Sequence, residues 1–172
     1  MSGHGGGGVQ VGEGFAGSGP DAAHINTVLG PKDGPVGTAW ATALATPRAG
    51  HVPFVVVLRP NLPVKPMTLF VNKAAVSPDD DRHARLTWGA AQAGVAAGVL
   101  DAVRDGVIPP DATETLLLIT AVWVDPAATE EESVYENNRE ATRAALAAGR
   151  DGHPTVADVL AAGEPTNPFF RS

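Results

Sequence analysis

Along the chain the spacing of apolar positions changes several times, and each change marks an element. Val9, Val11 and Phe15, set among glycines, read as an opening strand, and Ser18-Gly19-Pro20-Asp21 has turn chemistry. From Ala22 to Leu29 the side chains alternate. Ala23, Ile25, Thr27 and Leu29 fall on one face of a strand, and Ala22, His24, Asn26 and Val28 on the other. A second turn leads to Pro35, suited to the first position of a helix through Val36, Ala39, Trp40, Ala43 and Leu44 that Pro47 stops. The short β-branched run from Pro53 to Leu58 predicts a central strand buried on both faces, and the proline-rich stretch Arg59 to Pro66 a rigid extended connector.

Thr68 to Val76 resumes a strand, with Leu69, Val71 and Lys73 on one face and Phe70, Asn72 and Ala74 on the other. The aspartates Asp79 to Asp81 suit a helix start. Leu86, Ala90, Ala93, Ala97, Leu100 and Val103 then recur at helical spacing until Gly106. Leu116 to Val124 predicts another strand, and Glu130 to Ala148 a helix that opens with glutamates and closes at Gly149. A short helix near Val156 to Ala161 is expected in the punctuated tail. The order predicts an α/β layered domain with a mixed sheet: residues 1–8 as a disordered glycine-rich start, 9–150 as the domain, 151–172 as a C-terminal extension.

At 172 residues, 44% hydrophobic and 18% charged, the chain fits one packed domain. A formal charge of −7 argues against a nucleic-acid partner, and the lack of cysteine excludes disulfides, thiolate metal sites and a cysteine nucleophile. No run reaches membrane-spanning length, so the expectation is a cytoplasmic protein with no membrane partner.

The stretch Gly12-Glu13-Gly14-Phe15-Ala16-Gly17 lacks the helix and distant acid of a dinucleotide site, and no metal-protease, nucleophile-elbow or calcium-loop motif occurs. His24 stands among small residues after a turn, as either a proton-transfer group in a cleft or a histidine hydrogen-bonded at a sheet edge. Lys73 reads as a substrate cation or a side chain reaching for water. Gln92, in Trp88-Gly89-Ala90-Ala91-Gln92-Ala93-Gly94, has room to grip a ligand, although helix packing explains its small neighbours equally well. His51, His83 and His153 read as surface residues, and His4 as part of the disordered start.

Taken together, Val11-Gly12-Glu13, Gly17, Ala23-His24-Ile25, Gly30, the connector Arg59 to Pro66 with Thr68-Leu69, and Asn72-Lys73 resemble the formaldehyde-activating enzyme family. The similarity continues in order through Gly89-Ala90-Ala91-Gln92, Gly106-Val107-Ile108-Pro109, Asn137-Asn138 and Ala141-Thr142. The resemblance implies a two-layer α/β sandwich with a mixed sheet and a left-handed βαβ crossover, assembled as a homopentamer with sites between adjacent subunits. It also implies condensation of formaldehyde with tetrahydromethanopterin, or a related tetrahydropterin, to the 5,10-methylene derivative with loss of water. The pterin is then a co-substrate, with no prosthetic group and no metal.

By the same resemblance His24 is the proton donor, and Lys73, Gln92 and Val55 fall on pterin contacts. Asn26 stands where the family carries an acidic residue and Ala75 where it carries a hydroxyl, so Asn26 keeps hydrogen bonding without charge and Ala75 keeps neither. Two other readings therefore stay open: a pterin-binding homologue without catalysis, and a lyase for a different amine and aldehyde.

Overall fold

The computed structural model describes residues 8–171, so the expectation for residues 1–7, His4 included, lies outside the described residues. Strand β1 (Gln10–Ala16) pairs antiparallel with β2 (Ala23–Pro31), and β2 pairs antiparallel with β7 (Leu116–Trp123). On the other side of β7 lies β6 (Met67–Asn72), parallel to it, and then β3 (Phe54–Val55), antiparallel to β6. The order β1-β2-β7-β6-β3 is the expected mixed sheet. A parallel pair needs a long crossover. Here it is α2 (Asp81–Arg85), a π-helical segment (Leu86–Ala91) and α3 (Gln92–Arg104).

The alternation in β2 sorts the two faces of the sheet. Ala23, Ile25, Thr27 and Leu29 are buried beneath α4 (Glu131–Asp151), in one core with Phe70, Val95, Leu118, Val122 and Ala145. The opposite face carries His24 and Asn26. Helix α1 (Pro35–Ala45) lies at the far end of that face, its Val36 seated on Gly30.

What brings α4 so close is the absence of side chains beneath it. A Cβ on Gly12 would fall into the carbonyl of Ala145, and one on Gly14 into the carbonyl of Ala141. Along the other flank of α4, Gly94 and Gly98 of α3 meet the backbone of Tyr135 and Arg139 in the same way. The helix pair is also tied by Arg139, whose Nε lies 2.7 Å from Oδ2 of the shielded Asp101. That guanidinium holds the Asp101 carboxyl below the usual carboxylate range.

The apolar run 53–58 is not a central strand. Phe54 stacks on Phe70 with ring centroids 5.0 Å apart, Val56 enters the core, and contact with β6 runs only to Val56, whose N–H donates to Thr68 O at 2.9 Å. The next amide, Val57 N–H, donates to Gln92 Oε1 at 2.7 Å, so a helix side chain satisfies a backbone donor that β6 does not. The expected extended connector also reverses: β4 (Val57–Arg59) and β5 (Leu62–Pro63) pair as a small hairpin, with Asn61 at φ 66° in its turn. Helix α4 continues past Gly149 to Asp151 and ends at Gly152, whose φ of 67° is the left-handed conformation a C-terminal glycine supplies. The short tail helix α5 (Val156–Ala161) forms as expected, with Thr155 and Asp158 in a capping box.

Gly14→Ala should destabilise the domain near the top of the roughly 1–3 kcal/mol range for overpacking, because rigid backbone and not a flexible side chain stands in the way. Thermal unfolding should register this as a fall of several degrees relative to the parent chain.

Candidate active site

Strand register brings the candidate chemistry into one row. The β1–β2 pairing sets Phe15 opposite His24, and the β2–β7 pairing sets His24 opposite Trp123. Lys73 follows the Asn72–Val122 pair of β6 and β7, and its N–H donates to Val122 O at 2.7 Å, which brings it beside Trp123. Three neighbouring strands and the residue just past a fourth thus contribute an aromatic ring, an imidazole, an indole and an ammonium side by side. They line a cleft of about 1070 Å³ together with Asn26, Asp125 and the turn Gly17–Pro20.

Within this cleft the imidazole of His24 is 45% exposed, with Nε2 2.9 Å from Glu13 Oε1. Glu13 lies opposite Asn26 and therefore diagonal to His24, a separation that a long side chain spans. The Phe15 ring lies 6.2 Å from the imidazole, centroid to centroid, tilted by 58°. The final segment also reaches the cleft. Thr166 to Phe169 form part of its wall, and Phe169 meets Trp123 edge-on at 6.5 Å.

Of the six site residues read from the sequence, His24, Asn26 and Lys73 share the cleft. Val55, Ala75 and Gln92 lie elsewhere in the chain. Val55 is in the edge strand β3 opposite Leu69, Ala75 is exposed beyond β6, and Gln92 is buried with its carbonyl oxygen bonded to Val57 N–H. The turn that presents Lys73 is set by buried Asn72, whose Nδ2 donates to Gly50 O at 2.7 Å and Ala74 O at 2.8 Å. His51 Nδ1 lies 2.9 Å from Asn72 O and braces the same turn from outside.

Sequence reasoning passed over Glu13, Phe15, Trp123 and Phe169. Two residues apart, Glu13 and Phe15 share one face of β1, and only the register shows that this face is also that of His24. His83 corrects a second expectation: it is buried, with Nε2 2.9 Å from Val124 O and its backbone N–H on Asp80 Oδ1. Because a carbonyl only accepts, Nε2 carries the hydrogen there. Asp80 caps α2 and turns its first residues so that His83 faces inward. His51 is half-buried, whereas His153 is exposed as expected.

The open face of this α/β sheet thus carries an imidazole and an ammonium beside an aromatic rim, groups able to exchange protons with a molecule held in the cleft. The family model described as formaldehyde-activating enzyme (Fae) matches residues 11–170, and the chain belongs to that family. It is 44% identical over 161 residues to the 5,6,7,8-tetrahydromethanopterin hydro-lyase of Methanosarcina barkeri, a match covering 94% of this chain and 89% of that protein. It is 43% identical over 152 residues to the bifunctional enzyme Fae/Hps of Methanosphaera stadtmanae, covering 88% of this chain and 37% of that longer protein.

The two kinds of histidine should separate in urea unfolding. His83→Ala leaves the Val124 carbonyl unpaired and should cost about 1–3 kcal/mol, whereas His24→Ala, at an exposed site, should stay within about 0.5 kcal/mol of the parent.

Proposed function

We propose that this protein is a carbon–oxygen lyase that condenses formaldehyde with tetrahydromethanopterin to the 5,10-methylene derivative, releasing water. The observation that carries the reading is the shared cleft of His24, Asn26 and Lys73 beside Trp123, in a chain of this family so similar to a named tetrahydromethanopterin hydro-lyase. The pterin is a co-substrate, and the reaction takes place in the cytoplasm.

One pterin nitrogen adds to formaldehyde and gives a carbinolamine. Its C–O bond breaks slowly unless the departing oxygen is protonated, and the His24 imidazolium supplies that proton, so water leaves and an iminium carbon remains. The second pterin nitrogen attacks that carbon, and its proton returns to the imidazole. Lys73 and Asn26 hold the polar edge of the pterin, and Trp123 offers a face for its ring. Binding both reactants in one orientation removes much of the entropic barrier.

The working assembly is a homopentamer with each site between adjacent subunits, so that Val55, Ala75 and Gln92 of one subunit complete the cleft around His24 of the next. Apolar groups left in water support such an assembly: Val11 is 65% exposed on the sheet face, and Leu160 of α5 is 81% exposed.

Purified protein mixed with formaldehyde and tetrahydromethanopterin should form the methylene product well above the spontaneous rate, followed by absorbance. His24→Ala should lower kcat by at least about 100-fold. No acceleration by the parent protein sinks the reading, and pterin binding without turnover assigns the chain to ligand binding instead. Light scattering should return the mass of five chains, and a monomer would remove the inter-subunit site.

A further inference from the structure

We propose that Glu13 is a positioning residue for the His24 acid: it engages Nε2 and leaves Nδ1 as the nitrogen that delivers the proton. This rests on the reading of His24 as proton donor. Three observations support it. Glu13 Oε1 lies 2.9 Å from His24 Nε2, close enough for a charge-assisted hydrogen bond. Glu13 sits between Gly12 and Gly14, whose contact with the α4 backbone pins this part of β1, so its side chain projects only to the open face. On the same strand, Phe15 flanks the imidazole with ring centroids 6.2 Å apart.

The chemistry follows from which nitrogen is engaged. In the imidazolium, Nε2–H donates to Glu13 and Nδ1–H faces the substrate. As the carbinolamine C–O bond breaks, its electron pair leaves with oxygen and the Nδ1 proton joins it as water. The imidazole left behind is the Nε2–H tautomer, which the carboxylate favours because that hydrogen bond persists. Its bare Nδ1 then takes the proton released by the second pterin nitrogen when the ring closes, restoring the imidazolium. Glu13 gains and loses no proton; it fixes the tautomer and orientation, as the aspartate does in a Ser-His-Asp triad.

Glu13 is 63% exposed, and an exposed ion pair contributes little to stability, so its effect should appear in turnover and not in folding. The test is a double-mutant cycle on the full chain with formaldehyde and tetrahydromethanopterin as substrates. Glu13→Ala should lower kcat by about 10-fold or more with KM and melting temperature little changed, and Glu13→Gln, whose amide oxygen still accepts from Nε2–H, should recover part of the loss. In the His24→Ala background the same change should have no further effect, since the group it positions is gone. Losses that multiply in the double variant overturn the proposal, as does a raised KM at unchanged kcat, which would make Glu13 a substrate contact. If His24→Ala alone keeps full activity, the acid assignment falls and takes this inference with it.

Discussion

The fold depends on a helix lying directly on a strand that has only glycines, Gly12 and Gly14, at the crossing. Where α4 crosses β1, Gly12 and Gly14 meet the carbonyls of Ala145 and Ala141, and the layers approach to backbone contact. Close packing of this kind leaves no slack: a methyl group has nowhere to go, so the strand is fixed in height and tilt. The same economy recurs where Gly94 and Gly98 let α3 lie against α4. With both helices committed to one face, the chemistry is left to the other.

On that other face, position is a matter of register. Phe15 and His24 come from consecutive strands, and Trp123 and Lys73 from much later in the chain, yet each stands beside the next because the ladders align them. A slip of one residue in β2 would turn His24 into the core and bring Ile25 out. The buried alternation of Ala23, Ile25, Thr27 and Leu29 guards against that slip. Core packing and site geometry are therefore specified by the same side chains, read from opposite sides of the sheet.

Much of this was legible in the sequence, and the reasons it stopped are physical. Period-two alternation located β2 and placed His24 with Asn26, and helical spacing located α3 and α4, because those signals are local. The run 53–58 misled because a continuous apolar stretch looks the same whether it lies at the centre of a sheet or spends Phe54 on an aromatic stack and Val56 in the core. His83 misled because nothing nearby in the chain announces that the carbonyl of Val124, just past β7, needs its ring. The glycines around Glu13 did not read as a dinucleotide loop, but nothing local points to their actual partner, a helix more than a hundred residues later. Glu13 itself required knowledge of which strand lay alongside.

A site assembled across strands can be retuned one strand at a time. Asn26 places a neutral amide two positions after the histidine, while β1 holds a carboxylate within reach of the same ring. Because each contributor hangs from its own segment of backbone, a charge lost from one strand can be offset by another without rebuilding the scaffold. A substitution on one strand can thus change the wiring around the imidazole while the ladders keep the imidazole itself in place.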